Sequence, residues 1–297
     1  MKIYPECVPC LLKRVLYEVE LIDPKKGHEA MKTAGEIIFR DYRDDVVSVD
    51  IATKVHHAIY DLLADEDPYK GMKERSNEAA MGIMGRMREF LSRSPKGSVE
   101  ALRDHCIVSI IGNVLDFGIR GGIGRPEALS EIIDGLIAQG LGRDDTPAIH
   151  NLLSSSKEGP VVIVGDNAGE IVLDTLLVAY IRAVYEREVI YVVRGGPILS
   201  DATMEDAERV GMTSAATRVL TTNSRYVGLN LDMMDDELRR AIDSCVLFIA
   251  KGMANFEALS ERQDELTPLV YMLRTKCRPV ALSLGEEVDQ SIVKLYI

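Results

Sequence analysis

The sequence predicts an α/β fold: a helical N-terminal part over residues 1–100, then a doubly wound part over residues 101–297 with a mainly parallel sheet. Three observations predict it. Apolar side chains recur at helical spacing through the first hundred residues. Short, continuous runs of β-branched residues begin only after about residue 105. Helical patterns alternate with those runs, as they do when helices cover both faces of a parallel sheet.

The N-terminal helices are read from "CLLKRVLYEVELI", "HEAMKTAGEIIFRDY", "DIATKVHHAIYDLL" and "YKGMKERSNEAAMGIMGRMREFL". Their breaks carry proline and glycine, in "LIDPKKG", "DEDPYKG" and "SRSPKGS". No strand pattern interrupts them, so a helical bundle is expected, with Met81, Met84 and Met87 in its core. Further on, "CIVSIIGNVLDFG", "PVVIVGDN", "REVIYVVRGGP", "SCVLFIAKG" and "RPVALSLG" read as short apolar runs suited to buried strands, with "VLTTN" as one more. Helical patterns over 168–184, 202–211 and 255–273 lie between them. Right-handed crossovers then bring the carboxyl ends of the strands to one edge.

Composition narrows the function. The chain has 297 residues, 46% of them hydrophobic, and a formal net charge of −12. Nucleic-acid binding requires a basic stripe, which is absent from this sequence. No apolar run reaches membrane-spanning length, and "MKIYPECVPC" lacks the apolar core of a secretory leader. A cytoplasmic protein with five reduced cysteines is expected, and the oligomeric state has no visible signature.

Open α/β sheets bind ligands at the carboxyl ends of their strands. There the sequence places Asp166 and Asn167, Arg194 and Asp201, Lys251 and Asn255, and Asn113 and Asp116. Two carboxylates and a side-chain carbonyl form an oxygen shell suited to Mg²⁺ or Mn²⁺. Asp166, Asn167 and Glu170 also fit a capping box at a helix start, and the residues alone leave both readings open. Lys251 and Asn255 sit where a lysine and helix-start amides bind phosphate, although a lysine reaching solvent fits too. Asp206, one and a half turns after Asp201, faces elsewhere.

"GDNAGE", "RGGPILSDAT", "KGMANFE" and "GNVLDFG" together resemble the metal-dependent damage-control phosphatase family, long catalogued as a domain of unknown function. "CVPCLLKR" resembles its archaeal-type branch, which carries a CxxC near its start. The resemblance covers essentially the whole chain. It implies a helical domain packed on a Rossmann-like, three-layer α/β/α domain. It also implies hydrolysis of phosphate monoesters of small metabolites, such as sugar phosphates or damaged nucleotides, with a divalent cation. Mn²⁺ or Mg²⁺ comes first, and Ni²⁺ or Co²⁺ are further candidates. The family's metal ligands fall on Asp166, Asn167 and Asp201, its phosphate-binding pair on Lys251 and Asn255, and its pocket asparagine on Asn113, with Asp116 at the pocket mouth. A related branch carries Arg-Thr-x-Lys near its end. Here "RTKC" (274–277) is out of register, which sets aside that branch's substrates and its carboxyl methyltransferase activity.

The mechanism expected on that basis uses Asp166, Asp201 and Lys251 as catalytic groups. Lys251 and Arg194 offset phosphoryl charge, Asn255 and Asn113 orient the phosphate, and Asp116 or Glu170 accepts the proton of the attacking water. Two rivals remain: an S-adenosylmethionine-dependent carboxyl methyltransferase, for which "GDNAGE" lacks the G-x-G-x-x-G loop, and a non-catalytic metal- or phosphate-binding module. Cys7 and Cys10 form a CxxC that fits half of a zinc site or a redox pair, and read first as small buried thiols at the domain junction; Cys106 and Cys245 read as core residues. His56 and His57, about 100° apart on a helix, read as surface or packing residues.

Overall fold

The computed structural model describes residues 1–114, 129–155, 157–266 and 268–297. Three helices open the chain: α1 (Cys7–Ile22), α2 (Gly27–Asp41) and α3 (Ser48–Leu63). They share a core of their own around Val15, Val19, Ala34, Ile38, Ile51, Val55 and Ile59. Next come α4 (Lys70–Leu91) and α5 (Val99–Ile111), which pack against the later α8 (Glu170–Tyr185) through Ile83, Met87, Val108, Val172 and Leu173. Met87 is fully buried, while Met81, one end of the predicted stripe, is exposed.

The sheet contains β1 (Arg143–Asp144), β2 (Val161–Val164), β3 (Val189–Val193), β4 (Arg218–Thr221), β5 (Leu247–Lys251), β6 (Leu269–Arg274) and β7 (Ser291–Tyr296), in the order β1-β7-β6-β5-β2-β3-β4. All neighbours are parallel except β6 and β7. Helices α6 (Leu129–Gln139), α7 (Thr146–Leu153), α9 (Met204–Arg209), α10 (Met212–Ala215), α11 (Asp236–Asp243), α12 (Gly252–Leu259) and α13 (Arg278–Leu284) complete the described elements. The strands β2, β3 and β5 are buried along their whole length, as their unbroken apolarity requires, because one core lies on each face of the sheet.

Two predicted strands are helices. "CIVSII" belongs to α5, whose apolar residues surround the axis because the helix is buried between α8, α4 and the sheet, so its helical periodicity is erased. "RPVALSLG" is α13, with proline in its first turn and Gly285 as a left-handed cap. Conversely, the pattern over 255–273 divides into α12, a 3₁₀ segment and the buried strand β6. Among the described residues, no helix is long and apolar enough to cross a membrane.

Strand order fixes where a ligand can bind. From β2 the chain steps to β3 and β4 on one side, whereas β5 and β6 lie on the other. The loops after β2 and β5 therefore part company, and the crevice between them is the switch point where open α/β sheets take ligands.

Candidate active site

The loop after β2 carries Asp166 and Asn167, and the loop after β3 carries Ser200 and Asp201. The two loops pair like strands, with Asn167 bridged antiparallel to Asp201. Ala202 N donates to Asp166 O at 2.8 Å and Ala168 N to Ser200 O at 2.8 Å. This pairing brings the side chains of Asp166, Asn167 and Asp201 to one wall of a cavity of about 150 Å³. Its opposite wall comes from α1 and α3, through Cys7, Cys10, Leu11, Arg14, Val49, Ala52 and His56.

Asn167 is not a helix cap. Gly169 precedes α8 without a side-chain cap, and its N–H is taken by Asn77 Oδ1 at 2.7 Å. Glu170 Oε2 reaches back to Asn167 N only at 3.5 Å. The Asn167 amide instead donates to Asp166 Oδ2 at 2.7 Å, and its oxygen accepts from Ser200 Oγ at 2.7 Å. Asn113 Nδ2 donates to the same Asp166 oxygen at 3.0 Å and to Glu170 Oε2 at 2.8 Å. Gly112 permits that approach, since a Cβ there would run into the Glu170 backbone. Gly252 does the same from β5: its φ is +76°, and a Cβ would collide with Asp166 Oδ2.

The predicted cations stand behind this wall. Arg194 is 1% exposed; its Nε donates to Asp201 Oδ2 at 2.5 Å and its Nη2 to Asn255 Oδ1 at 3.1 Å, with Asp166 Oδ1 at 3.9 Å. Lys251 is fully buried. Its ammonium lies 2.7 Å from Asp174 Oδ1 and 2.7 Å from Glu170 Oε1, and donates to Ser109 Oγ at 2.6 Å. Burial lowers the Lys251 pKa, but the carboxylates of Asp174 and Glu170 outweigh it and push the group up to about 12. Burial raises the Glu170 carboxyl, with Lys251 opposing and Asp174 adding to the rise. Asn255 donates to Gly165 O at 3.0 Å and Lys251 O at 2.6 Å.

Of the predicted site residues, Asp166, Asn167 and Asp201 line the cavity. Asn113, Glu170, Arg194, Lys251 and Asn255 form the network that holds them, and Asp116 lies outside the described residues. For Lys251 the placement departs from the expectation of a phosphate ligand, because Asp174 and Glu170 occupy its ammonium. Asp206 faces away from Asp201, as expected; it accepts from Thr203 N at 2.9 Å and from Asn77 Nδ2 at 2.8 Å.

Several contributors were missed. Asp174 follows Glu170 by one turn on α8, a pair of carboxylates on one face of an otherwise apolar helix, and that spacing was the available signal. His56 is expected at the surface or in packing. It is buried, with Nδ1 at 2.8 Å from Glu18 Oε1, and it borders the cavity. His57 does pack, its Nε2 at 2.8 Å from Arg225 O.

The donor set can hold a hard cation. Asp166 and Asp201 supply carboxylate oxygens, and Asn167 supplies an amide oxygen after a half-turn of its side chain. Ser200 would then accept from the amide nitrogen, since a hydroxyl both donates and accepts. Among the described residues, the hydrogen-bonded network contains four carboxylates (Asp166, Glu170, Asp174, Asp201) and two cations (Arg194, Lys251). A divalent ion bound there would offset that excess.

Comparison with known proteins gives one consistent result. The family model described as damage-control phosphatase ARMT1-like domain matches residues 3–292. A damage-control phosphatase of Archaeoglobus fulgidus is 36% identical over 99% of both chains. A damage-control phosphatase of Pyrococcus horikoshii is 29% identical over 96% of this chain and 94% of its own. The crystal structure of a DUF89 family protein from P. horikoshii superposes with a TM-score of 0.84 at 28% identity, covering 99% of each chain.

Proposed function

Since the chain belongs to the ARMT1-like damage-control phosphatase family and is a metabolite damage-control phosphatase, we propose that it hydrolyses phosphate monoesters with a divalent cation held by Asp166, Asn167 and Asp201. The observation that carries this reading is the pairing of the two loops, which sets those three oxygen donors on one cavity wall. The bound cation would supply Lewis acidity and a more acidic water. The protein's own groups do the rest. Met253 and Ala254, in the first turn of α12, line the cavity, and Lys251 gives that turn no side-chain cap. Their end of the helix suits phosphoryl oxygens. Arg194 and Asn113 fix the Asp201 and Asp166 carboxylates, so neither has to reorient during the reaction. Asp116 is one sequence-based candidate for taking the water's proton; Glu170, the other, is held by Lys251 and Asn113. Mn²⁺ or Mg²⁺ fits the oxygen donors better than a softer ion, and the five reduced thiols suit a cytoplasmic location.

The test is phosphate release from a panel of monoesters with Mg²⁺, Mn²⁺, Co²⁺ or Ni²⁺. Wild-type protein should turn over and lose activity with EDTA. Asp166→Ala and Asp201→Ala should each fall by about 10³-fold or more, as loss of a preorganised charged group in a dry site does. EDTA-resistant turnover, or turnover near wild type in either variant, would contradict the reading.

A further inference from the structure

The cavity has two chemically different ends. Its α/β wall presents Asp166, Asn167 and Asp201; its helical wall is built from one face of α1 (Cys7, Cys10, Leu11, Arg14) and one face of α3 (Ser48, Val49, Ala52, His56). These spacings are those of single helix faces. Besides the Ser48 hydroxyl and the two thiols, the polar groups of the helical wall are Arg14 and His56, which are 6% and 1% exposed. Behind them, fully buried Glu18 lies 2.8 Å from His56 Nδ1 and accepts from the Tyr69 hydroxyl at 3.3 Å. Arg14 stands one turn before Glu18 on α1, and both charges act on the Tyr60 phenol. Tyr60 in turn accepts from Leu199 N at 2.9 Å, two residues before Asp201. A buried charged cluster in an apolar helical wall is costly to keep for stability alone.

We propose that Arg14, with His56 beside it, reads a second anionic group on the substrate, so that the preferred substrates are small phosphate monoesters bearing a carboxylate or another phosphate. The inference rests on the phosphatase reading, in which the scissile phosphate occupies the opposite, α/β wall. Of the other charged groups on the helical side of the cavity, Glu6 is paired with Arg278, Glu257 has the Met1 ammonium and the Ser48 hydroxyl beside it, and Glu18 stands behind His56. Among the described residues, Arg14 and His56 are the basic side chains on that border. A guanidinium suits the task, since its fork matches carboxylate and phosphate alike. A cavity of about 150 Å³ suits a small substrate with a few carbons between its two anions.

The test compares three substrates in Mn²⁺: glycerol 3-phosphate with no second anion, 3-phosphoglycerate with a carboxylate, and propane-1,3-diol bisphosphate with a second phosphate. Wild-type kcat/KM should favour one or both substrates bearing a second anionic group by about 10- to 100-fold, mostly through KM, as charge-assisted hydrogen bonds of this kind do. Whichever tail is favoured identifies the second anion. In Arg14→Gln that ratio should collapse towards one, and Arg14→Lys should restore part of it. Equal use of all three substrates by the wild type, or an unchanged ratio in Arg14→Gln, overturns the proposal. The wild-type comparison needs no variant, so it stands even if Arg14→Gln fails to fold. Calorimetric binding of the same three compounds separates the two readings. Preferential binding of a dianion without phosphate release removes the phosphatase reading and keeps the subsite; release without preference does the reverse.

Discussion

Lys251→Met offers the sharpest separation between a structural lysine and a substrate-binding one. The ammonium is fully buried, and it compensates Asp174 and Glu170, each at 2.7 Å. Methionine fills similar space without charge, so the substitution leaves two buried carboxylates uncompensated. Removing one partner of a buried ion pair costs about 3–5 kcal/mol. An unfolding entropy of about 2.1 cal/mol/K per residue gives roughly 0.6 kcal/mol/K for a chain of 297 residues, so Tm should fall by about 5–8 °C. The pH dependence has a definite sign. Burial already raises the Glu170 pKa, and losing Lys251 raises it further. A raised carboxyl stabilises the fold below its unfolded pKa and withdraws that stability as pH rises through the folded value. The deficit should therefore be smaller at pH 5 than at pH 8. Asp174→Asn in the same chain should recover about half of it. Differential scanning fluorimetry with EDTA present, at both pH values, reads all of this. A Lys251→Met protein that melts within 2 °C of wild type but binds phosphate esters far more weakly would refute the reasoning and return Lys251 to the substrate.

Gly252→Ala should cost more at the site than in the fold. The left-handed backbone at φ +76° disfavours alanine by about 1 kcal/mol, and the new methyl displaces Asp166 Oδ2, so metal-dependent turnover should drop by at least tenfold while melting shifts by only a few degrees; unchanged activity would deny that Asp166 is held there. Cys10 should be the one thiol that reacts quickly with Ellman's reagent at pH 8. It is exposed, whereas burial pushes Cys7, Cys106 and Cys277 up to about 12 and Cys245 to about 11, keeping them protonated until far higher pH. Cys10→Ser should abolish that fast phase. Asn113→Leu should destabilise by about 2–3 kcal/mol, seen as a lower urea midpoint, because Asp166 and Glu170 lose a shared buried donor.

The legible parts of this protein are those where local chemistry and position coincide. Val161–Val164 is a strand buried on both faces, which suits a parallel sheet; Asp166 and Asn167 at its end were therefore readable as candidate site residues. Asp201 was readable for the same reason after Val189–Val193. The misread elements fail for a physical cause. Val99–Ile111 is apolar on every side because it is enclosed on every side, so it carries no period to distinguish helix from strand. Ser291–Tyr296 has no counterpart among the predicted strands, and its antiparallel pairing with β6 is a tertiary choice. The role of Lys251 depended on partners from α5 and α8, and that of Arg14 and His56 on two helices meeting over the sheet edge. Neither juxtaposition is written in any local spacing, although Glu170 and Asp174, and Arg14 and Glu18, each one turn apart on a buried face, hinted at both.

The central claim is that Asp166, Asn167 and Asp201 together hold one divalent cation. Isothermal titration of EDTA-stripped protein with Mn²⁺ tests it most directly, with Asp201→Ala titrated alongside. The account predicts one site per chain in the wild type and no measurable binding in the variant, both remaining folded by circular dichroism. A wild type that binds no Mn²⁺, or an Asp201→Ala protein that binds it as tightly as wild type, would contradict it.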